Sequence, residues 1–160
     1  MIPYQTLFTQ LQQRHIEYLV AGGFAVNFHQ IQRATVDLDL IIHLERSNVL
    51  EFVRLMNELG YMPRIPVKAE ELAEPNKRAS WIVDKGLMVF SFIHSKSSYE
   101  TVDVFVKEPK PFAELYQRRL AIKAFGSVID VLGKNDLIEM KRLAGRDKDI
   151  FDIQQLEKKK

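Results

Sequence analysis

The chain has 160 residues, of which 46% are apolar and 28% charged, and its formal net charge is +2. This composition is typical of a soluble globular protein with one core, so we expect a single domain over residues 1–160. The small net charge argues against a nucleic-acid coat, and the absence of cysteine excludes disulfides, cysteine-ligated zinc and thiol nucleophiles. Because no apolar run is long enough to span a membrane and no export leader is evident, we expect a cytoplasmic protein without membrane contact.

Helix and strand patterns alternate along the chain without a repeat. Apolar periodicity predicts helices over 3–15, around 24–28, between Ser47 and Gly60, over 110–120 and 135–145, and from Asp147 onward. Strands are predicted over 16–21 and 37–42, as an antiparallel hairpin over 87–94 and 100–106, and as a hairpin or bent strand over 121–133. Ser47 is the expected N-cap of its helix, and the proline-containing stretch 62–80 is expected to be irregular with a short helix. These elements predict an α+β fold with a mixed sheet flanked by helices.

Two aspartates interrupt the apolar strand predicted at 37–42. Because successive side chains of a strand point to opposite faces, Asp37 and Asp39 share one face, while Leu38 and Leu40 share the other. Two neighbouring carboxylates repel each other, and one takes up a proton unless a cation lies between them. The pattern indicates either a metal-binding pair or an edge strand whose aspartates face water.

A third aspartate, Asp103, lies in another strand pattern, "TVDVFV". A lone aspartate in a strand is often a solvated position, but pairing of the two strands would bring Asp103 beside Asp37 and Asp39. Carboxylate oxygens suit Mg²⁺ or Mn²⁺, and a two-metal carboxylate cluster is a recurrent solution for in-line phosphoryl or nucleotidyl transfer.

Gly22 and Gly23 separate the first predicted strand from the next helix. Such a turn leaves backbone N–H groups at the helix start without a Cβ to obstruct a phosphate, although an ordinary strand-to-helix turn has the same sequence. The G-x-G-x-x-G spacing of dinucleotide-binding loops is missing.

A "GG" after an apolar strand, a helix, a D-x-D strand and a later strand with one aspartate together resemble the nucleotidyltransferase superfamily that includes DNA polymerase β. More narrowly, "LVAGGFAVNFHQIQRATVDLDLII" and "DLIEMKRLAGRDKDIFDIQQLE" are similar to small bacterial AbiEii-type nucleotidyltransferases, which include toxins of toxin–antitoxin pairs. The resemblance spans roughly residues 16–157. The chain departs from it in having Gly-Gly where many members have Gly-Ser, and in lacking the large additional domain that often selects the acceptor.

The resemblance implies roles for particular residues. Asp37 and Asp39 would bind both metals, and Asp103 would bind the metal nearer the acceptor and assist its deprotonation. The remaining residues implied by the resemblance would bind the triphosphate or support that binding: Gly22, Gly23, Lys141, Arg33 and Arg146. From the residues alone, Lys141 shares an apolar helical stripe, so it either reaches a polar pocket or extends along the surface to water. Arg146 with Asp149 or Asp152 is either a helix-start ion pair or a group that orients Lys141.

The predicted reaction is Mg²⁺-dependent transfer of a nucleoside monophosphate from an NTP to a hydroxyl, with release of pyrophosphate. The acceptor is left open among tRNA or other RNA, a protein hydroxyl and a small molecule, and a cognate toxin or antitoxin protein is a possible partner. Two other hypotheses stay open: a nucleotidyltransferase-fold binding protein without turnover, and carboxylates that form only a structural cation site.

Overall fold

The computed structural model describes residues 4–159, which form one seven-stranded sheet with helices around it. The strands are β1 (Tyr18–Ala21), β2 (Leu38–Ile42), β3 (Tyr61–Pro63), β4 (Val89–His94), β5 (Thr101–Phe105), β6 (Leu120–Ala124) and β7 (Ser127–Val131). Their order in the sheet is β3-β4-β5-β2-β1-β7-β6. The β1–β7 and β2–β5 pairs are parallel and the other neighbours are antiparallel. The predicted α+β fold with a mixed sheet is therefore confirmed, as is the predicted hairpin β4–β5. Of the two alternatives for the stretch 121–133, a hairpin or a bent strand, the structure has the hairpin β6–β7.

Seven α-helices and one 3₁₀ helix complete residues 4–159. They are α1 (Gln5–Gln13), α2 (Gly22–Phe28), α3 (Arg46–Glu58), the 3₁₀ helix (Ala69–Ala73), α4 (Pro75–Lys85), α5 (Phe112–Gln117), α6 (Lys134–Ala144) and α7 (Asp147–Lys158). Most predicted helices are present, with ends shifted by a few residues. Residue 3, where the first helix was predicted to begin, lies outside the described residues.

One local prediction was wrong, and a second was correct only in part. The N-cap of α3 is Glu45 rather than Ser47, because the Glu45 carboxylate accepts hydrogen bonds from the backbone N–H groups of Ser47 and Asn48 at 3.1 and 3.2 Å. The short helix predicted in the stretch 62–80 is present as the 3₁₀ helix, but the stretch also contains most of β3 and the start of α4, so it is less irregular than predicted. Pro75 occupies the first turn of α4, where its missing N–H needs no partner, so this proline begins a helix rather than preventing one.

The sheet register brings the candidate residues together. The β1–β2 pairing places Ala21 opposite Asp39, and the β2–β5 pairing places Asp39 beside Asp103. Helix α2 begins at Gly22, directly after β1, and helix α6 packs against both α2 and α7. The centre of the sheet and the helix pair α6–α7 therefore face each other across one cleft.

The apolar core holds this centre rigid. β1 is buried along its whole length, and Leu38 and Leu40 are fully buried on the face of β2 opposite to Asp39, while Asp37 immediately precedes the strand. Burial of one such aliphatic side chain contributes about 1.5–3 kcal/mol, so a shift of β2 by one residue, which would exchange its two faces, is strongly disfavoured. Among the helices of residues 4–159, none is long and apolar enough to cross a membrane. The cytoplasmic location stays a prediction.

Candidate active site

A cleft of about 610 Å³ contains all eight residues that the sequence singled out. Its lining includes the three aspartates, the two glycines and the three cations: Asp37, Asp39, Asp103, Gly22, Gly23, Arg33, Lys141 and Arg146. We call Asp37, Asp39 and Asp103 the carboxylate cluster, and Arg33, Lys141 and Arg146 the cation wall. The expectation that the three aspartates share a cleft therefore agrees with the structure, while their chemical roles stay predictions.

The carboxylate cluster is electrostatically strained. Burial, together with the negative charges of Asp103 and Asp37, raises the pKa of Asp39 from 3.8 to about 6, although Lys141 and Arg146 partly oppose the shift. Burial also raises the pKa of Asp103, against a 2.6 Å hydrogen bond that the Ser91 hydroxyl donates to its Oδ1 atom. Ionisation of Asp39 and Asp103 is therefore disfavoured, and a divalent cation bound between them would stabilise their ionised forms.

The glycine turn is shaped around Asp39. Gly22 has a φ of +60°, and a Cβ atom built at this position would lie 2.0 Å from the Asp39 Oδ2 atom. Only glycine satisfies both the left-handed backbone and the lack of space. The turn and the carboxylate cluster are therefore in direct contact, a relation that the separate sequence motifs did not show.

The cation wall is held by two buried aspartates of α7. Lys141 is only 5% exposed, and its Nζ atom lies 2.9 Å from Asp152 Oδ2 and 3.4 Å from Asp149 Oδ1. The interpretation that Lys141 extends along the surface to water is therefore wrong. Arg33 Nε lies 3.2 Å from Asp152 Oδ1, so Asp152 contacts two cations that come from different parts of the chain.

Arg146 forms the ion pair at the start of α7 and is also linked, through Asp149, to Lys141. It is the residue before α7, and its backbone N–H and Nε donate to Asp149 Oδ2 at 3.1 and 2.7 Å, while Nη2 donates to Oδ1 at 3.2 Å. Burial alone would raise the pKa of Asp149, but the hydrogen bonds from Arg146 and the nearby Lys141 charge lower it below its ordinary value. Asp149 therefore stays ionised and links the helix-start ion pair to Lys141.

Two features of the site were missed from the sequence. Asp149 and Asp152 were considered only as partners of Arg146, although both are buried. Their i, i+3 spacing places them on one helix face with Leu156, which was an available signal. Ser91 was not singled out, because its contact with Asp103 depends on the β4–β5 register.

The carboxylate cluster is the part of the cleft with the ligand types of a divalent-metal site. Among residues 4–159, no group of three or more acidic or histidine side chains is arranged to hold a metal ion. The cluster nevertheless has the required chemistry: carboxylate oxygens only, on one cleft wall, with ionisation opposed by mutual repulsion. Asp39 pairs with Asp103 in the sheet register and lies against Gly22, so it connects the cluster to the glycine turn.

A second and more open cavity of about 680 Å³ lies where the chain leaves β2 and β5. Its two carboxylates already have structural partners. Glu45 caps α3, and Glu108 accepts hydrogen bonds from the backbone N–H groups of Leu44 and Phe112 at 3.0 and 3.3 Å. This cavity therefore contains no cluster of free acids, and the cleft with the carboxylate cluster is the better candidate site.

Neither a known family model nor a curated protein sequence matches the chain. Solved structures do. The lincosamide antibiotic adenylyltransferase LnuA, in its lincomycin-bound structure, is similar with a TM-score of 0.60 and 13% identity over 92% of this chain and 90% of LnuA. ANT(2")-Ia in complex with adenylyl-2"-tobramycin has a TM-score of 0.56 and 14% identity over 91% of this chain and 80% of its own.

A third similar structure is an antigenic nucleotidyltransferase-like protein from Paracoccidioides brasiliensis. It has a TM-score of 0.57 and 15% identity over 95% of this chain and 72% of that protein. These similarities give no support that is specific to the AbiEii type, so this narrower resemblance stays a prediction. At these identities the similarity establishes the architecture: the chain has the fold of the nucleotidyltransferase superfamily.

Proposed function

We propose that the protein is a metal-dependent nucleotidyltransferase, which transfers a nucleoside monophosphate from an NTP to a hydroxyl group and releases pyrophosphate. One observation carries the proposal: the carboxylate cluster, the cation wall and the glycine turn line the same cleft, and the glycine turn is in contact with Asp39. A triphosphate ester has a reacting phosphorus and a strongly anionic leaving group, and the cleft has complementary groups for both.

The chain's own residues would divide the work as follows. Asp37, Asp39 and Asp103 would hold Mg²⁺ or Mn²⁺, which when bound supplies charge neutralisation for the triphosphate and the entering oxygen. Asp103, at the edge of the cluster and oriented by Ser91, would accept the proton of the acceptor hydroxyl.

The cation wall and the glycine turn would stabilise the leaving pyrophosphate. Lys141, Arg33 and Arg146 place positive charge on one side of the cleft, where negative charge accumulates as the phosphoester bond breaks. Gly22 and Gly23 allow the phosphates to approach the backbone closely. Because Gly22 packs directly on Asp39, the phosphates and the metal ligands would lie within one short stretch of the cleft.

The acceptor is proposed at the level of three classes: RNA ends including tRNA, a protein hydroxyl, and a small molecule. The similar structures favour ATP as the first nucleotide to test and small hydroxylated molecules as the first acceptors, since LnuA is an adenylyltransferase bound to lincomycin and ANT(2")-Ia holds adenylyl-2"-tobramycin. A toxin–antitoxin role, with a cognate protein partner, rests on the AbiEii-type resemblance alone.

The test is transfer of label from α-labelled ATP, and then the other NTPs, to the three acceptor classes, with and without a chelator. Transfer by the wild-type protein that needs a divalent metal, and is lost in Asp39→Asn, is the expected result. Asp84→Asn is the control, because Asp84 is exposed on α4 and does not line the cleft. Nucleotide binding without transfer to any acceptor would favour the binding protein without turnover, and absence of both would refute the proposal.

A further inference from the structure

Asp152 on α7 contacts two members of the cation wall at once. The side chain of Asp152 is 1% exposed. Its Oδ2 atom lies 2.9 Å from Lys141 Nζ, on α6, and its Oδ1 atom lies 3.2 Å from Arg33 Nε, in the segment between α2 and β2. One buried carboxylate therefore joins two cations that are separated by more than a hundred residues in sequence.

Arg33 in turn lies against the glycine turn. A Cβ atom built on Gly23 would be 2.1 Å from Arg33 Nη1 and 2.6 Å from Thr35 Oγ1. The space that a side chain at position 23 would occupy is thus filled by a guanidinium group and a hydroxyl group. Gly23, Arg33, Asp152 and Lys141 form a continuous line of contacts, in which Asp152 is the one residue that does not line the cleft.

The arrangement is costly for stability alone. Asp152 Oδ1 is fully buried and, within residues 4–159, accepts no hydrogen bond, so its interaction with Arg33 is an ion pair without hydrogen-bond geometry. Buried ion pairs recover their desolvation cost only with good geometry, and apolar residues of similar volume often stabilise a fold as well or better. A buried carboxylate with one oxygen left unsatisfied is therefore better explained by what it holds in place.

We propose that Asp152 is a positioning residue, which holds Arg33 and Lys141 beside the glycine turn as a preassembled binding site for the β and γ phosphates of the NTP. The inference deepens the proposed function and rests on it. Asp152 would not contact the nucleotide, because it does not line the cleft and is separated from it by the two cations. Its contribution is to remove the freedom of two long side chains before the nucleotide binds.

Charge and positioning predict opposite effects of the same substitution. Asp152→Asn removes one negative charge from behind the cation wall, so electrostatics alone would tighten the binding of a triphosphate. Loss of positioning would weaken it, because Lys141 keeps only Asp149 and Arg33 loses its charged partner. The sign of the change therefore separates the two explanations.

The experiment is calorimetric titration of a non-hydrolysable ATP analogue with Mg²⁺, and of AMP, into the wild-type protein, Asp152→Asn and the control Asp136→Asn. Asp136 is a matched control: it is 5% exposed on α6 and also holds two cations, with Arg118 at 2.9 Å and Lys110 at 3.7 Å, but it does not line the cleft. The expected result is triphosphate binding about tenfold weaker in Asp152→Asn, with AMP binding and the control changed by less than about twofold.

Equal or tighter triphosphate binding in a folded Asp152→Asn protein overturns the inference and leaves the proposed function standing. Failure of the wild-type protein to bind the analogue overturns both. If thermal melts show that Asp152→Asn does not fold, Asp152→Glu replaces it, because the carboxylate charge is kept while the longer side chain changes the contacts with Arg33 Nε and Lys141 Nζ. Weaker triphosphate binding at equal charge then supports the inference, and unchanged binding overturns it.

Discussion

Replacing Asp39 with Asn should stabilise the metal-free protein, and the gain should depend on pH. The pKa of Asp39 is raised from 3.8 to about 6 in the folded protein, first by burial and then by repulsion from Asp103 and Asp37. A difference of about two pKa units corresponds to about 3 kcal/mol between the protonation states. This is an upper limit for what ionised Asp39 costs the fold.

The pH range of the effect follows from the two pKa values of Asp39. Below about pH 4 this carboxyl is protonated in both the folded and the unfolded chain, so it makes no difference. Between about pH 4 and 6 the unfolded chain releases the proton while the folded chain keeps it, and the stability of the wild-type protein falls as the pH rises. Above about pH 7 the penalty is constant. The stability of Asp39→Asn should not show this decrease, because asparagine has no proton to release in this pH range.

The assay is thermal and urea unfolding of the wild-type protein, Asp39→Asn and Asp84→Asn between pH 4 and 8, with a chelator present throughout. The stability of Asp39→Asn relative to wild type should rise by up to about 3 kcal/mol across this range, which is about 6–12 °C in melting temperature for a chain of this size. The exposed control should stay within about 0.5 kcal/mol of wild type. A relative stability that does not change with pH would refute the claim that burial and repulsion strain Asp39.

Two further predictions test the cation wall and the glycine turn. Lys141→Met should destabilise the fold by about 3–5 kcal/mol in thermal melts, because Asp149 and Asp152 lose the cation that they share. Unchanged stability would show that these two buried carboxylates do not need Lys141. Gly22→Ala should lower both stability and divalent-metal affinity more than Gly86→Ala does. Both glycines have a φ of +60°, but the new Cβ would collide with Asp39 only at Gly22, since nothing lies within 4 Å at Gly86. Equal effects of the two substitutions would contradict the claim that this collision matters.

Much of the site follows from local sequence rules. Strand alternation places Asp37 and Asp39 on one face, and two glycines after a buried strand indicate a tight turn into a helix. These rules concern residues that are neighbours in sequence, so they hold whatever the rest of the chain does. The same local rules predicted the wrong N-cap for α3. Glu45 and Ser47 are both able to accept hydrogen bonds at a helix start, and the backbone geometry decides between them.

The buried charges could not be assigned in the same way. Asp149 and Asp152 are exposed on any isolated helix, and the sequence pattern treats charged residues as solvated. They are buried because α7 packs on α6, which brings Lys141 to them, and because the segment before β2 brings Arg33. Burial of a charge depends on partners from distant parts of the chain, and partners at that distance are set only by the packed fold.

By itself, the sequence determined most of the elements outside the stretch 62–80, the two faces of β2 and the residue types of the carboxylate cluster, since each depends on periodicities of two or about 3.6 residues along one segment. Only the tertiary structure decided that Asp103 pairs with Asp39, that Asp39 packs on Gly22, and that Asp152 joins Arg33 to Lys141. These contacts connect residues from six parts of the chain, and their geometry depends on strand order and register, which short-range patterns do not contain.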